Sequence, residues 1–85
     1  MIYKLDENIK LVDIKEKLFV YNISNGDCFG IEGVGLEIIQ GIEEEKNIEV
    51  IIENIFSNYD VTKEQATHDV KNYIRQLLKN NLIIK

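Results

Sequence analysis

Apolar and polar positions alternate irregularly at first, then fall into a helical period. Ile9 to Ile14 (IKLVDI) and Leu18 to Ser24 (LFVYNIS) are apolar and partly β-branched runs of strand length, separated by the charged turn Lys15-Glu16-Lys17. In the second run Leu18, Val20 and Asn22 share one face and Phe19, Tyr21 and Ile23 the other, so both faces are expected to be at least partly covered. Asn25-Gly26 then reads as a type I′ hairpin turn, which needs positive φ at both residues, and it starts a third strand from Asp27 to Ile31. Connections this short allow only an antiparallel meander.

After Gly33 the period changes. Leu36, Ile38, Ile39 and Ile42 suit a first helix over residues 34–42, weakened toward its end by Gly41. Glu43-Glu44-Glu45 reads as a solvated acidic connection. Asn47 is a good N-cap for a second helix over 48–59, where Ile48, Ile51, Ile52, Ile55, Phe56 and Tyr59 fall at i, i+3, i+4, i+7, i+8 and i+11. Thr62-Lys63-Glu64-Gln65 matches a capping box for a third helix over 63–80, with Ala66, Val70, Tyr73, Ile74, Leu77 and Leu78 as its buried stripe. Asn80-Asn81 ends it, and Leu82-Ile83-Ile84 can return to the core or extend along the sheet. The fold class predicted is α+β, a winged-helix-like three-stranded antiparallel sheet followed by three helices (βββααα), in one domain spanning residues 1–85.

Composition narrows the function. The chain has 85 residues, 45% of them hydrophobic, with no Pro and five Gly, which is the make-up of a folded domain rather than a linker. No apolar run approaches the ~18 residues that cross a membrane, and MIYKLDENIK is not a signal peptide. A single cysteine, Cys28, rules out an internal disulfide and suits a reducing, cytoplasmic setting. Ten Lys and Arg against fifteen Asp and Glu leave a formal charge of -5, which repels phosphate and argues against nucleic-acid binding. A basic or weakly charged peptide is the better-matched partner.

Catalytic chemistry has little to work with. His68 lies off the apolar stripe of the third helix and reads as a surface histidine. Cys28 reads as a small hydrophobe within a strand. One Cys and one His at this spacing do not make a metal site, and Gly30, Gly33 and Gly35 fit neither a dinucleotide nor a P-loop pattern. No enzyme, cofactor or metal is expected.

The stretch Asn25-Gly26-Asp27-Cys28-Phe29-Gly30-Ile31, then Gly35 and Ile38-Ile39, resembles the PqqD-like proteins, peptide-recognition elements of ribosomally made, post-translationally modified peptide (RiPP) pathways. Tyr59-Asp60, Asp69-Val70, Tyr73, Leu77 and Leu82-Ile83 continue the resemblance, which covers roughly residues 9–84. Glu32, Ile39 and Gly41 depart from it, standing where the family prefers Asn, Trp and Leu.

The resemblance implies a non-catalytic module that captures the leader of a precursor peptide as an added antiparallel strand, lying between the third strand and the third helix. It implies a peptide-binding set of Asp27, Cys28, Phe29, Gly30 and Ile31, with Asp69, Asn72, Tyr73, Arg75 and Gln76 as a helical wall and Lys71 and Arg75 meeting acidic leader residues. Whether Cys28 or Phe29 lines the groove stays open. The partners implied are the leader peptide and a separate maturation enzyme, such as a radical SAM enzyme, a cyclodehydratase or a leader protease, to which a stand-alone chain must dock. The free edge could instead be filled by a second copy, giving a homodimer, or by the chain's own terminus. The rival functions are a winged-helix DNA-binding regulator, opposed by the acidic charge, and a small acidic carrier protein, for which neither Ser24 nor Ser57 has the right context.

Overall fold

The computed structural model describes all residues, Met1–Lys85. Eight elements follow one another: β1 (Lys4–Leu5), β2 (Ile9–Ile14), β3 (Lys17–Asn22), β4 (Cys28–Ile31), α1 (Val34–Glu43), α2 (Ile48–Asn58), α3 (Lys63–Lys79) and β5 (Ile83–Ile84). β2, β3 and β4 form an antiparallel sheet in that order, and α1 to α3 follow it, so the chain is α+β as its patterning predicts. The third predicted strand is β4.

The alternation of side chains divides the sheet into two unlike faces. The rows Leu11–Val20–Phe29 and Leu18–Ile31 point toward the helices, where Val20 is fully buried and Ile31 nearly so. The rows Lys10–Tyr21–Cys28 and Val12–Phe19–Gly30 point away from them. Coverage of both faces was the expectation, and it fails here: Val12, Ile14 and Tyr21 are exposed because every helix packs on the other side. Cys28, expected to pack as a small hydrophobe, is exposed for the same reason.

The helices bury the stripes read from the sequence. Ile38, Ile39 and Ile42 of α1, Ile51, Ile52 and Ile55 of α2, and Ala66, Val70, Ile74 and Leu77 of α3 join Tyr3, Ile9, Val20, Ile31, Leu82 and Ile83 in one core. Phe56 departs from its stripe and is exposed. Asn47 caps α2 through Glu49 N–H at 3.2 Å, and Thr62 caps α3 by accepting from Gln65 N–H at 3.1 Å. The reciprocal half of the capping box is missing, because the Gln65 amide donates instead to Asp69 Oδ1 at 2.8 Å.

Two helix ends close in the same way. Asn81 has φ 60°, with Asn81 N–H donating to the Leu78 carbonyl and Leu82 N–H to the Leu77 carbonyl. Glu45 has φ 57°, with Glu45 N–H donating to the Ile42 carbonyl and Lys46 N–H to the Gly41 carbonyl. Both are Schellman motifs, in which a left-handed residue satisfies the last carbonyls. The acidic run is therefore part helix, part cap, and α1 continues past Gly41 to Glu43.

Two turns differ from expectation. The type I′ geometry belongs to Lys15-Glu16, with φ 51° and 67°, joining the paired Ile14 and Lys17. At the β3–β4 connection only Gly26 has positive φ, at 81°. There the side chains of Asn22 and Asn25 accept from Ser24 N–H at 2.8 Å and Asp27 N–H at 2.9 Å. Two such local bonds lengthen the loop and displace the two-residue turn. A further pairing was unforeseen: β1 joins β5, with Lys4 opposite Ile84 and Leu5 opposite Ile83. The C-terminal segment thus pairs with the N-terminal one and leaves β4 alone.

Candidate functional site

β4 has β3 on one side and no strand on the other. Which of its backbone groups face outward follows from one hydrogen bond. Asn22 N–H donates to the Asp27 carbonyl at 2.8 Å, so that pair stands at a bonded position of the β3–β4 ladder. Bonded pairs recur at every second residue of an antiparallel ladder. Val20–Phe29 and Leu18–Ile31 are therefore bonded pairs, while Cys28 and Gly30 turn their N–H and C=O groups away from β3. The free edge offers two donors and two acceptors, one residue to either side of Phe29.

The side chains alternate perpendicular to that row. Phe29 and Ile31 point toward the helices, and Cys28 and Gly30 toward the outer face. Phe29 lies opposite the fully buried Val20 in the ladder and is 42% exposed. A depression of about 340 Å³ lies beside it, bounded by Asp27, Cys28 and Phe29 of the strand and by Asn80 and Leu82 past the end of α3. Asn80 and Leu82 were absent from the predicted set. Their presence follows from the Schellman turn at Asn81, which folds Leu82 back under the helix end.

A second depression, of about 260 Å³, opens between the start of α1 and the flank of α3. Val34, Gly35 and Ile38 meet Asp69, Asn72 and Tyr73 there. Tyr73 lies so close to α1 that a Cβ on Gly35 would stand 2.7 Å from the tyrosine Oη. The half-buried ring leaves its hydroxyl without a hydrogen bond inside the protein. Burial pushes the Tyr73 phenol above its usual pKa, since loss of water disfavours the phenolate.

Helical spacing sorts the predicted wall. With about 100° per residue, Asp69, Tyr73 and Gln76 fall on one flank of α3. Arg75 is a correction: it lies on the opposite flank with Lys71, where both border a depression shared with Tyr3, Ile48 and Leu78. Neither cation stands beside Asp69 and Tyr73. No group of three His, Cys, Asp or Glu side chains is placed to hold a metal, and no helix is long and apolar enough to cross a membrane. The arrangement on β4 and α3 supplies a hydrogen-bonding edge, an aromatic floor and two side-chain depressions along it.

A family model described as coenzyme PQQ synthesis protein D (PqqD) matches residues 17–83. The solved structure of TbiB1 in complex with the TbiA(β) leader peptide superposes with a TM-score of 0.86 at 25% sequence identity, over 94% of this chain and 93% of that one. A lasso peptide synthetase B1 complexed with the leader peptide gives a TM-score of 0.88 at 14% identity, over 98% of each chain, a likeness of fold. No curated protein sequence matches the chain.

Proposed function

This chain belongs to the PqqD family, matched over residues 17–83, and on that premise we propose that it captures the leader segment of a ribosomally synthesised precursor peptide. The leader adds as an antiparallel strand to β4, exchanging backbone hydrogen bonds with Cys28 and Gly30, while its alternate side chains enter the depressions beside Phe29 and Tyr73. Asp27 and Ile31 bound the strand. Asp69, Asn72, Tyr73 and Gln76 form the facing wall, with the free Tyr73 hydroxyl available to the leader; Arg75 is left out of this set. The chain works as a single non-catalytic recognition domain over residues 1–85, in the cytoplasm. It holds the precursor beside a separate maturation enzyme, raising the local concentration of the segment to be modified.

The observation that carries the reading is the outward row at Cys28 and Gly30, unpaired and placed beside an exposed aromatic. TbiB1, a quarter identical over nearly the whole chain, supports it by binding a leader peptide. A leader that is disordered when free loses roughly 2–5 kcal/mol on ordering, so backbone pairing alone does not suffice and the depressions must add to it. The test is to search the reading frames neighbouring this chain's for a short precursor and to titrate its leader into the labelled protein, following amide chemical shifts. Cys28 and Gly30 amides are expected to shift and gain protection from hydrogen exchange, with a Kd in the micromolar range or tighter, about -8 kcal/mol or better. Amides of β4 that stay unmoved at saturating leader refute the reading.

A further inference from the structure

The face of the sheet turned away from the helices carries a pattern that leader capture does not use. Val12, Ile14 and Tyr21 are exposed there, and Phe19 lies between them, half-buried only by its neighbours. Strand propensity alone does not account for this, because Thr would serve the pleat equally well at a solvated position. Contiguous apolar surface on a small domain marks an interaction site.

The charges on this face differ in sign from those of the molecule. Lys10 and Lys17 flank the apolar centre, and β2, β3 and β4 turn no acidic side chain to that side; the turn at its end carries Lys15 next to Glu16. None of these three lysines is paired with a carboxylate, although Lys4, Lys46 and Lys63 each are. Lys17 instead lies with its ammonium 5.7 Å from the centre of the Phe19 ring. Its stem crosses Gly30, where a Cβ would stand 2.8 Å from Lys17 Cε. A cation spread over an aromatic, with no counter-ion, keeps its charge available to an incoming group.

We propose that the outer face of the sheet, centred on Val12, Phe19 and Tyr21 and ringed by Lys10, Lys15 and Lys17, docks a second protein that presents acidic side chains around an apolar centre. A second copy of this chain does not fit: a two-fold contact through this face sets lysines against lysines. An anionic bilayer is disfavoured because three lysines act against a chain of net charge -5. The face also leaves the outward groups of Cys28 and Gly30 open, so a protein docked here and a peptide strand on β4 occupy different groups. The inference therefore stands apart from leader capture, and each fails on its own evidence.

The probes, chosen on the reading of leader capture, are a purified peptide-modifying and a purified peptide-cleaving protein sought among the reading frames neighbouring this chain's, each titrated into the isotope-labelled protein, with phosphatidylglycerol vesicles as a third arm. One of the two proteins is expected to shift the amides of Val12, Phe19 and Tyr21, with affinity that falls as salt rises. The triple variant Lys10→Glu/Lys15→Glu/Lys17→Glu should weaken that binding about 10-fold or more. Val12→Thr/Ile14→Thr, which keeps the β-branched strand, should weaken it without charge change. Thermal melts of both variants confirm folding, and leader affinity of Val12→Thr/Ile14→Thr should stay within about 2-fold, since both positions lie on β2, away from the free edge of β4. Failure of both proteins to bind, shifts confined to α2 or α3, binding indifferent to the charge reversal, or capture by the vesicles in place of the proteins each overturns the proposal.

Discussion

A methyl group at Gly35 has nowhere to go, because it would stand 2.7 Å from the Tyr73 Oη and 3.0 Å from its Cζ. Gly35→Ala must therefore swing the aromatic ring off α1. Overpacking of this kind costs about 1–3 kcal/mol, offset by the roughly 0.5–1 kcal/mol that Ala gains over Gly within a helix, so urea unfolding should find a net loss of up to about 2 kcal/mol. Combining it with Tyr73→Ala should recover much of the loss, because the two changes share one contact; strict additivity would refute the packing argument. Tyr73 also sets a pH dependence. Burial raises its pKa, so below the ordinary phenol value folded and unfolded chains both keep the proton. Above about pH 10 the unfolded chain loses its proton first, and stability falls as pH climbs toward the folded value. Tyr73→Phe should match the parent at pH 7 to within about 0.5 kcal/mol and lose less stability at alkaline pH. Unfolding curves at neutral and alkaline pH decide it, and equal alkaline losses in both proteins would count against the buried phenol.

Turns and caps show where an element can be improved and where sequence reading fell short. Lys15-Glu16 occupies a type I′ turn with φ 51° and 67°, a conformation that long side chains tolerate poorly. Asn-Gly is the favoured pair for that turn, so Lys15→Asn/Glu16→Gly should raise stability by about 0.5–2 kcal/mol. No gain in the unfolding midpoint would mean that the turn is not held in this geometry. The three helices and the three-stranded meander were legible because each rests on many residues: a repeated apolar spacing, or a β-branched run with a short connection. The caps at Asn47 and Thr62 were legible for a local reason, one side chain meeting one amide. β1 and β5 were not, since two residues carry no period and the pairing joins opposite ends of the chain. Asn25-Gly26 misled because Asn22 and Asn25 both bond locally, which no dipeptide rule registers. The flank of Arg75 could have been read: two residues past Tyr73 is about 200° around the helix, the far side of α3. The choice between Cys28 and Phe29 could not, because strand parity relative to the helices is a tertiary fact.

At the scale of the molecule, the proposed leader capture would be coupled to folding through the same small core. A domain of this size buries only roughly 60–65% of its unfolded surface, so a ligand that covers more has a large effect in proportion. The core is one cluster running from Tyr3 to Ile83, and Phe29, opposite the buried Val20, stands exposed on β4, where the sheet ends. An added strand would cover that ring, satisfy Cys28 and Gly30, and bind the native chain alone, because the unfolded chain has no ladder to extend. Mass action then fixes the outcome: leader at 100 times its Kd stabilises by about 2.7 kcal/mol. With about 4–8 °C per kcal/mol for a chain this short, the Tm should rise by about 11–22 °C. A leader whose backbone N–H groups are methylated where they meet β4 keeps its side chains but loses the ladder, and should leave the Tm close to that of the free protein. If the methylated leader stabilises as well as the natural one, the pockets alone hold the peptide and the free edge of β4 is not the site. If the natural leader binds tightly without moving the Tm, it does not distinguish the native chain from the unfolded one, and strand addition is ruled out.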